Sequence, residues 1–447
     1  MDKKQSVINL TEGTILKPLL QLFLPIAFGI FFQQLYNTSD AIIVGKFVGK
    51  EALAAVGGPT SSIVNLLVGF FTGISSGAAV LISHQYGADN KEGISKTVHT
   101  SIIVAIGAGL LLTVAILLFA EDILLLMDTP EDIMVYSVQY FKIYSIGMIP
   151  SLIYNMGSAI FRAAGDTKKP LYYLIITCII NVALDLLFIG VFKLEVIGAA
   201  TATLIAQLIS AIIVLVSLYR SKEAYKFMPS KLRFTSSIFK KIIFIGIPAA
   251  LQSVMYSASN IVVQSSINTF GTDTIAAWAA YGKIDAFLWM TVNSLGVATM
   301  TFVGQNYGAG KIDRIYKCVK VSLALIVIIP LTMGTLMLIF GPQLLSMFNS
   351  DKGVIDIGIQ IMHFMLPLYV TYVSIEIFAA TMRGVGDAII PTVLTCVGVC
   401  VLRVMWLLIA VPLHHTLYTV LMCYPITWIT TTILFIIYYF KGNWLKA

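Results

Sequence analysis

Apolar stretches recur along the whole chain, each about as long as a bilayer is thick and each bounded by a short polar break. A run of about 18 or more apolar residues is long enough to cross a bilayer as a helix. Twelve such spans are expected, at 16–44, 52–83, 94–119, 131–160, 169–192, 196–220, 240–268, 274–305, 315–340, 353–381, 389–413 and 416–440. Several exceed the roughly 20 residues that a crossing needs, so they tilt, kink or run beyond the hydrocarbon. Pro25, Pro150, Pro248, Pro330 and Pro367 mark the expected kinks.

Composition agrees. Of 447 residues, 58% are hydrophobic and 11% charged, against about 25% charged in soluble domains. The first apolar run continues past Pro25 to Asp40, longer than the apolar core of a cleaved signal peptide, and is expected to remain as the first span. The five cysteines, Cys178, Cys318, Cys396, Cys400 and Cys423, fall in or beside apolar segments. They suggest neither a disulfide framework nor a zinc site.

Charge orients the spans. Of 29 Lys and Arg, only Lys46, Lys50, Lys193 and Lys352 fall in the odd-numbered loops, and Lys142, Lys283 and Arg403 lie within spans. The rest, Lys3 and Lys4 among them, occupy the tails, the even-numbered loops with the span ends that border them, and a basic linker at 221–239 with its flanks. Positive residues stay inside, so both termini are expected in the cytoplasm. The net charge of +7 reflects this asymmetry and suggests no nucleic-acid partner.

The chain also repeats itself. Tyr86-Gly87-Ala88 recurs as Tyr307-Gly308-Ala309, and Lys96 as Lys317, both 221 residues on. Arg162, Gly165, Asp166 and Pro170 recur as Arg383, Gly386, Asp387 and Pro391 at the same offset. Six spans per period is an even number, so the two halves, 1–225 and 226–447, start on the same side and form a parallel repeat. The expected fold is an all-α membrane protein of twelve transmembrane helices in two six-helix lobes. The R-x-x-G-D block also reads locally as a polar loop closing two helices, since glycine suits a helix end.

At this point the sequence resembles the multidrug and toxic compound extrusion (MATE) family over essentially its full length. The features that carry the resemblance are Pro25 and Asp40, Gln85-Tyr86-Gly87-Ala88, Arg162 with Gly165-Asp166-Thr167 and Pro170, Asn181 with Asp185, and Gly304-Gln305-Asn306-Tyr307-Gly308-Ala309. The trio Asp40, Asn181 and Asp185 resembles the prokaryotic DinF-like branch. The NorM-like branch carries an acid in span seven, and no acid lies between Lys241 and Asp273 here. The resemblance implies cation-coupled efflux of amphipathic, often cationic, drug-like compounds across the plasma (inner) membrane.

An ionised group inside a bilayer costs about 3 kcal/mol or more, so intramembrane charges are functional candidates. Those here are Asp40, Lys142, Asp185, Lys283, Asp285, Glu376 and Arg403. Gln33, Tyr36, Asn37 and Asp40 share a helix face at i, i+3, i+4, i+7 spacing, and Asn181 lies one turn before Asp185. Desolvation and mutual repulsion of two carboxylates favour uptake of a proton, and the same oxygens suit Na⁺. Asp40, Asn181, Asp185, Tyr36 and Asn37 are therefore the expected cation-coupling set, although Asp40 also reads as a helix-terminal residue.

Span seven carries a neutral stripe of Gln252, Tyr256 and Asn260, suited either to a lumen or to packing between helices. Lys283 and Asp285 are two residues apart and face different ways; Lys283 either neutralises a carboxylate or sits in a fixed salt bridge. Glu376 takes the place that Asn155 holds in the first half, 221 residues earlier. It reads as a substrate counter-ion or as a partner of Arg403 or Lys142. With Gln33 these form the expected substrate-binding set: Gln33, Asn155, Gln252, Tyr256, Asn260, Lys283, Asp285 and Glu376.

Gly45-Lys46-Phe47-Val48-Gly49-Lys50-Glu51 only imitates a phosphate-binding loop, with the wrong spacing and Glu where Ser or Thr is needed. An ion gradient is thus the expected driver. The expected function is H⁺- or Na⁺-coupled antiport, with no cofactor beyond the coupling ion, no catalytic centre, the lipid bilayer as surroundings and a monomeric state. The alternative is a lipid-linked oligosaccharide or lipid flippase of the related superfamily. A membrane enzyme fits poorly, because the histidines are scattered or, at His414-His415, stand alone.

Overall fold

The computed structural model describes residues 7–446, so the basic Lys3 and Lys4 lie outside it. No β-strand occurs among the described residues, and helix covers all twelve expected spans. Among the described residues, ten helices are long and apolar enough to cross a bilayer singly. The pair Lys352–Leu368 and Val370–Val385, bent by 50°, is long and apolar enough only when taken together. The fourth expected span is likewise two helices, Glu131–Ile146 and Met148–Ala163, each of 16 residues. At 1.5 Å per residue neither reaches across about 30 Å alone.

The breaks follow local chemistry. Pro150 and Pro367 each lie within three residues of a break, at Gly147 and Tyr369. Span two is interrupted at Gly58, just before Pro59, which lacks the N–H to continue the preceding turn. Pro25, Pro248 and Pro330 lie inside continuous helices, so these three produce no break. Spans five and eleven each contain a π-helical stretch, Leu186–Val191 and Cys396–Val401, which no proline foretold.

The duplicated R-x-x-G-D block is a helix stop followed by a helix start. Gly165 and Gly386 adopt φ of +91° and +105°, a conformation that costs an ordinary side chain about 1 kcal/mol or more. The Asp166 N–H donates to the Phe161 carbonyl at 2.9 Å and the Asp387 N–H to Met382 at 3.0 Å. A bond reaching back five residues across a left-handed glycine is a Schellman closure. Each aspartate then accepts the backbone N–H three residues on, from Lys169 and Ile390, both at 3.4 Å.

The domain limits expected above follow the duplicated sequence; the compact packing units follow another line. One unit holds the chain up to Asn9 and Phe28–Ala250, the other Leu10–Ala27 and Leu251–Ala447. Membership changes two residues after Pro25 and two after Pro248. Within the first unit, Pro59–Gly87 packs directly on the backbone of Ser236–Ala250. A Cβ on Gly73 would strike the Ala250 backbone, and one on Gly77 the Ile242 carbonyl. The linker also belongs to this unit: His99 stacks on Phe227 at 5.5 Å, and its Nε2 lies 3.1 Å from both the N–H and the carbonyl of Met228. Burial pushes the Tyr225 hydroxyl above its ordinary range, partly opposed by the Lys169 ammonium 3.4 Å away. In the second unit, Arg314 holds the carbonyls of Leu10, Glu12 and Gly13 at 3.0, 3.2 and 2.8 Å, and Lys311 holds that of Thr11 at 3.0 Å.

Candidate functional site

The first unit contains a buried acidic site. Asp40 comes from Leu16–Phe47, and Asn181 and Asp185 from the last two turns of Lys168–Asp185. The π-helical stretch begins directly after Asp185, and such widened turns frequently mark functional positions. Asp40 is 6% exposed, and Asn181 and Asp185 are 0% exposed. Asp40 lies beside Asn181, Asp185 and Thr203, and its Oδ2 accepts the Thr203 hydroxyl at 3.4 Å. Beyond the contacts of these three side chains with one another, Asp40 Oδ1, both oxygens of Asp185 and both amide atoms of Asn181 have no hydrogen-bond partner. Among the described residues no Lys or Arg forms an ion pair with either carboxylate. Tyr36, Tyr140 and Tyr144 wall the site, with Tyr140 and Tyr144 stacked at 5.8 Å.

Buried polar atoms in folded proteins are nearly all paired, and leaving one unpaired costs about 1–3 kcal/mol. A cluster of unpaired oxygens around two carboxylates therefore has the composition of a receptor for a proton or a hard monovalent cation, which oxygen ligands suit. No group of three or more His, Cys, Asp or Glu able to hold a metal occurs among the described residues.

The second unit arranges its charges differently. Arg383 donates to Glu376 and to Gln252, both at 3.0 Å. Glu376 is thus paired within its own helix, Val370–Val385, rather than with Arg403 or Lys142. Two helical turns separate the pair, and two long side chains bridge them. Asp285 accepts hydrogen bonds from Tyr281 at 3.2 Å, from the Trp289 indole at 2.9 Å and from the Tyr369 hydroxyl. Around it, Trp289, Tyr369, Tyr372, Tyr424 and Trp428 form a continuous aromatic cluster, with centroid spacings such as 4.8 Å for Trp289–Tyr372 and 5.3 Å for Tyr424–Trp428. The Tyr256 hydroxyl meets that of Tyr372 at 3.5 Å, and Arg403 donates to Asn260 at 3.2 Å.

Of the expected cation-coupling set, the fold gathers Asp40, Asn181, Asp185 and Tyr36, while Asn37 stays exposed. Of the expected substrate set, Gln33 and Lys283 are exposed, and Lys283 makes no ion pair among the described residues. Asn155 donates to the Ser151 carbonyl at 3.0 Å, a bond within its own helix. Gln252, Tyr256, Asn260, Asp285 and Glu376 all make polar contacts within the second unit, Gln252 buried, Tyr256, Asp285 and Glu376 half-buried and Asn260 exposed. Sequence reasoning missed Tyr140, Tyr144 and Thr203 around the acids and Arg383 as an ion-pair partner. Spacing of i, i+4 does put Tyr140 and Tyr144 on one face, but nothing in the chain says which face meets Asp40.

Comparison with known proteins is consistent with this arrangement. The MatE family model matches twice, over residues 25–187 and 248–409. The chain is 30% identical to "Probable multidrug resistance protein YoeA" of Bacillus subtilis over 84% of its length and 83% of that protein. It is 25% identical to a protein named "FAD transporter" in Shewanella oneidensis, over 78% and 77% of the two chains. Among solved structures, one described as the outward-facing conformation of a multidrug resistance MATE family transporter of the MOP superfamily superposes with a TM-score of 0.91. It is 22% identical, and each chain is covered completely. A MOP superfamily transporter from Pyrococcus furiosus gives the same TM-score at 21% identity. With both halves matched by one family model, this multi-pass membrane protein belongs to the MatE family of transporters.

Proposed function

We propose that the chain is a secondary multidrug efflux transporter in the plasma membrane, exchanging H⁺ or Na⁺ for amphipathic, often cationic, compounds. The observation that carries the reading is the buried pair Asp40 and Asp185, which meet each other beside Asn181 and Thr203 and which no Lys or Arg among the described residues neutralises. Two carboxylates held so are unstable as bare anions, so a proton or Na⁺ arriving from outside stabilises the arrangement that holds it. One elementary charge moved across about 100 mV is worth about 2.3 kcal/mol, enough to bias two conformations by nearly fiftyfold. Binding of the ion favours outward release of substrate, and discharge of the ion inward resets the carrier. Relatives named for multidrug resistance and export support the substrate class. The reading includes a monomer with both termini in the cytoplasm.

The test is dye efflux from proteoliposomes under a pH gradient and, separately, a Na⁺ gradient. Asp40→Asn and Asp185→Asn should each abolish gradient-driven efflux while the protein stays folded. Full transport by both variants would refute the carboxylate mechanism, and whichever gradient drives the parent identifies the ion.

A further inference from the structure

The same helix of each repeat carries an unpaired buried charge, and the two charges have opposite sign. Span five holds Asp185 in the first unit; its equivalent, span eleven, holds Arg403 in the second. Both lie beside a π-helical stretch: Leu186–Val191 starts directly after Asp185, and Cys396–Val401 ends two residues before Arg403. Each also faces the first helix of its own half, Asp185 meeting Asp40 and Arg403 meeting Asn260.

Arg403 is 2% exposed. Asn260 accepts one N–H from it, the Tyr424 ring lies 4.4 Å from its guanidinium carbon, and Nε has no partner. The ion pairs among the described residues are Lys50–Glu51, Lys96–Glu92, Lys169–Asp166 and Arg383–Glu376, none involving Arg403. The acids inside the spans of the second unit are engaged elsewhere, Glu376 by Arg383 and Asp285 by three aromatic donors. Asp387 accepts from Tyr438 at 2.7 Å, and Glu12, Asp273, Asp313, Asp351 and Asp356 are exposed. One ring beyond Tyr424, the buried Trp428 indole N–H is also unpartnered. Asn260 itself is exposed, so the guanidinium lies directly beneath the surface of its unit.

A guanidinium kept in an apolar span without an anion is costly, and its fork of donors matches carboxylate and phosphate oxygens. We propose that Arg403, with Asn260 and Tyr424, is an anion-recognition subsite for the carboxylate or phosphate of an amphipathic compound. Anionic and zwitterionic solutes then belong to the substrate range. What is transported rests on the efflux reading above; binding at Arg403 does not.

The test is equilibrium binding to the full chain in nanodiscs. The probes are a fluorescent amphipathic carboxylate, its uncharged methyl ester and a lipophilic cationic dye. In Arg403→Gln the carboxylate should bind at least tenfold more weakly while the ester and the dye change by less than about twofold. Arg403→Lys should fall between, since charge survives without the fork, and Asn260→Ala should weaken the carboxylate selectively. If Arg403→Gln does not fold, the other two variants decide by the same criterion. Unchanged carboxylate affinity, or equal weakening of all three probes, would overturn the proposal, the second result marking a structural strut. Nanodiscs of phosphatidylglycerol and of phosphatidylcholine separate the sources of the anion. Competition by phosphatidylglycerol that disappears in Arg403→Gln supports the subsite and assigns it to a lipid headgroup. The Asp40→Asn, Asp185→Asn double variant should keep carboxylate binding, so failure of coupling and failure of anion recognition register in different assays.

Discussion

Glu376 and Arg383 offer the sharpest energetic test of the second unit. Their side chains are 14% and 13% exposed and meet at 3.0 Å, and Arg383 also reaches Gln252 at 3.0 Å. Replacing Glu376 by Leu removes the anion and leaves a largely buried guanidinium with one neutral acceptor. Breaking a buried pair in this way costs about 3–5 kcal/mol. Glu376→Gln keeps an acceptor within reach and loses only the charge, so about 1–3 kcal/mol is expected. In the double variant Glu376→Leu, Arg383→Met no buried charge remains; the residual cost is the Gln252 oxygen left without its donor, about 1–3 kcal/mol. For a unit of roughly 200 residues, 1 kcal/mol moves the midpoint by about 2–4 °C. Thermal unfolding of the purified protein should therefore drop by about 6–20 °C in Glu376→Leu and recover part of that loss in the double variant. A single variant within about 2 °C of the parent, or a double variant equal to the sum of the singles, would refute a buried strut. Cationic-dye affinity that collapses in Glu376→Gln with no change in melting would instead return Glu376 to the role of substrate counter-ion.

Two further outcomes follow from packing. Gly77→Ala places a methyl on the Ile242 carbonyl and should cost about 1–3 kcal/mol by overpacking, measured against Gly107→Ala, whose added methyl meets nothing within 4 Å; equal melting of the two variants would contradict the close helix contact. Arg314→Ala releases the carbonyls of Leu10, Glu12 and Gly13, so amide exchange at residues 10–15 should quicken at least tenfold while exchange in Lys352–Leu368 stays unchanged, and uniform exchange across the chain would show that the clamp is dispensable.

Much of the fold was legible because its determinants are local. Hydropathy locates the spans, since a segment too apolar for water and long enough for a bilayer has one stable setting. The constant offset of 221 residues between the duplicated blocks reveals the parallel repeat, and Gly165 and Gly386 hold the left-handed positions that a glycine at a helix end announces. Asp40, Asn181 and Asp185 stand out for the same reason: a charge in an apolar run is conspicuous whatever lies across from it.

Partnerships between helices were not legible. Whether Glu376 would meet Arg403, Lys142 or Arg383 depends on helix rotation and on side-chain reach, and an i, i+7 pair lies beyond the i, i+3 and i, i+4 neighbours that a helical pattern reads off. The two prolines of the first helices predict kinks, yet only packing showed that unit membership changes just after Pro25 and Pro248. Thr203 reaches Asp40 across 163 residues of sequence, and the aromatic donors that satisfy Asp285 leave Arg403 without an anion. Residue type and position within an apolar run are enough to show which side chains are costly to bury. Tertiary structure alone decided which of those costs are offset inside the protein and which are left for a ligand, because that depends on atoms brought within about 3 Å by helices far apart in the chain.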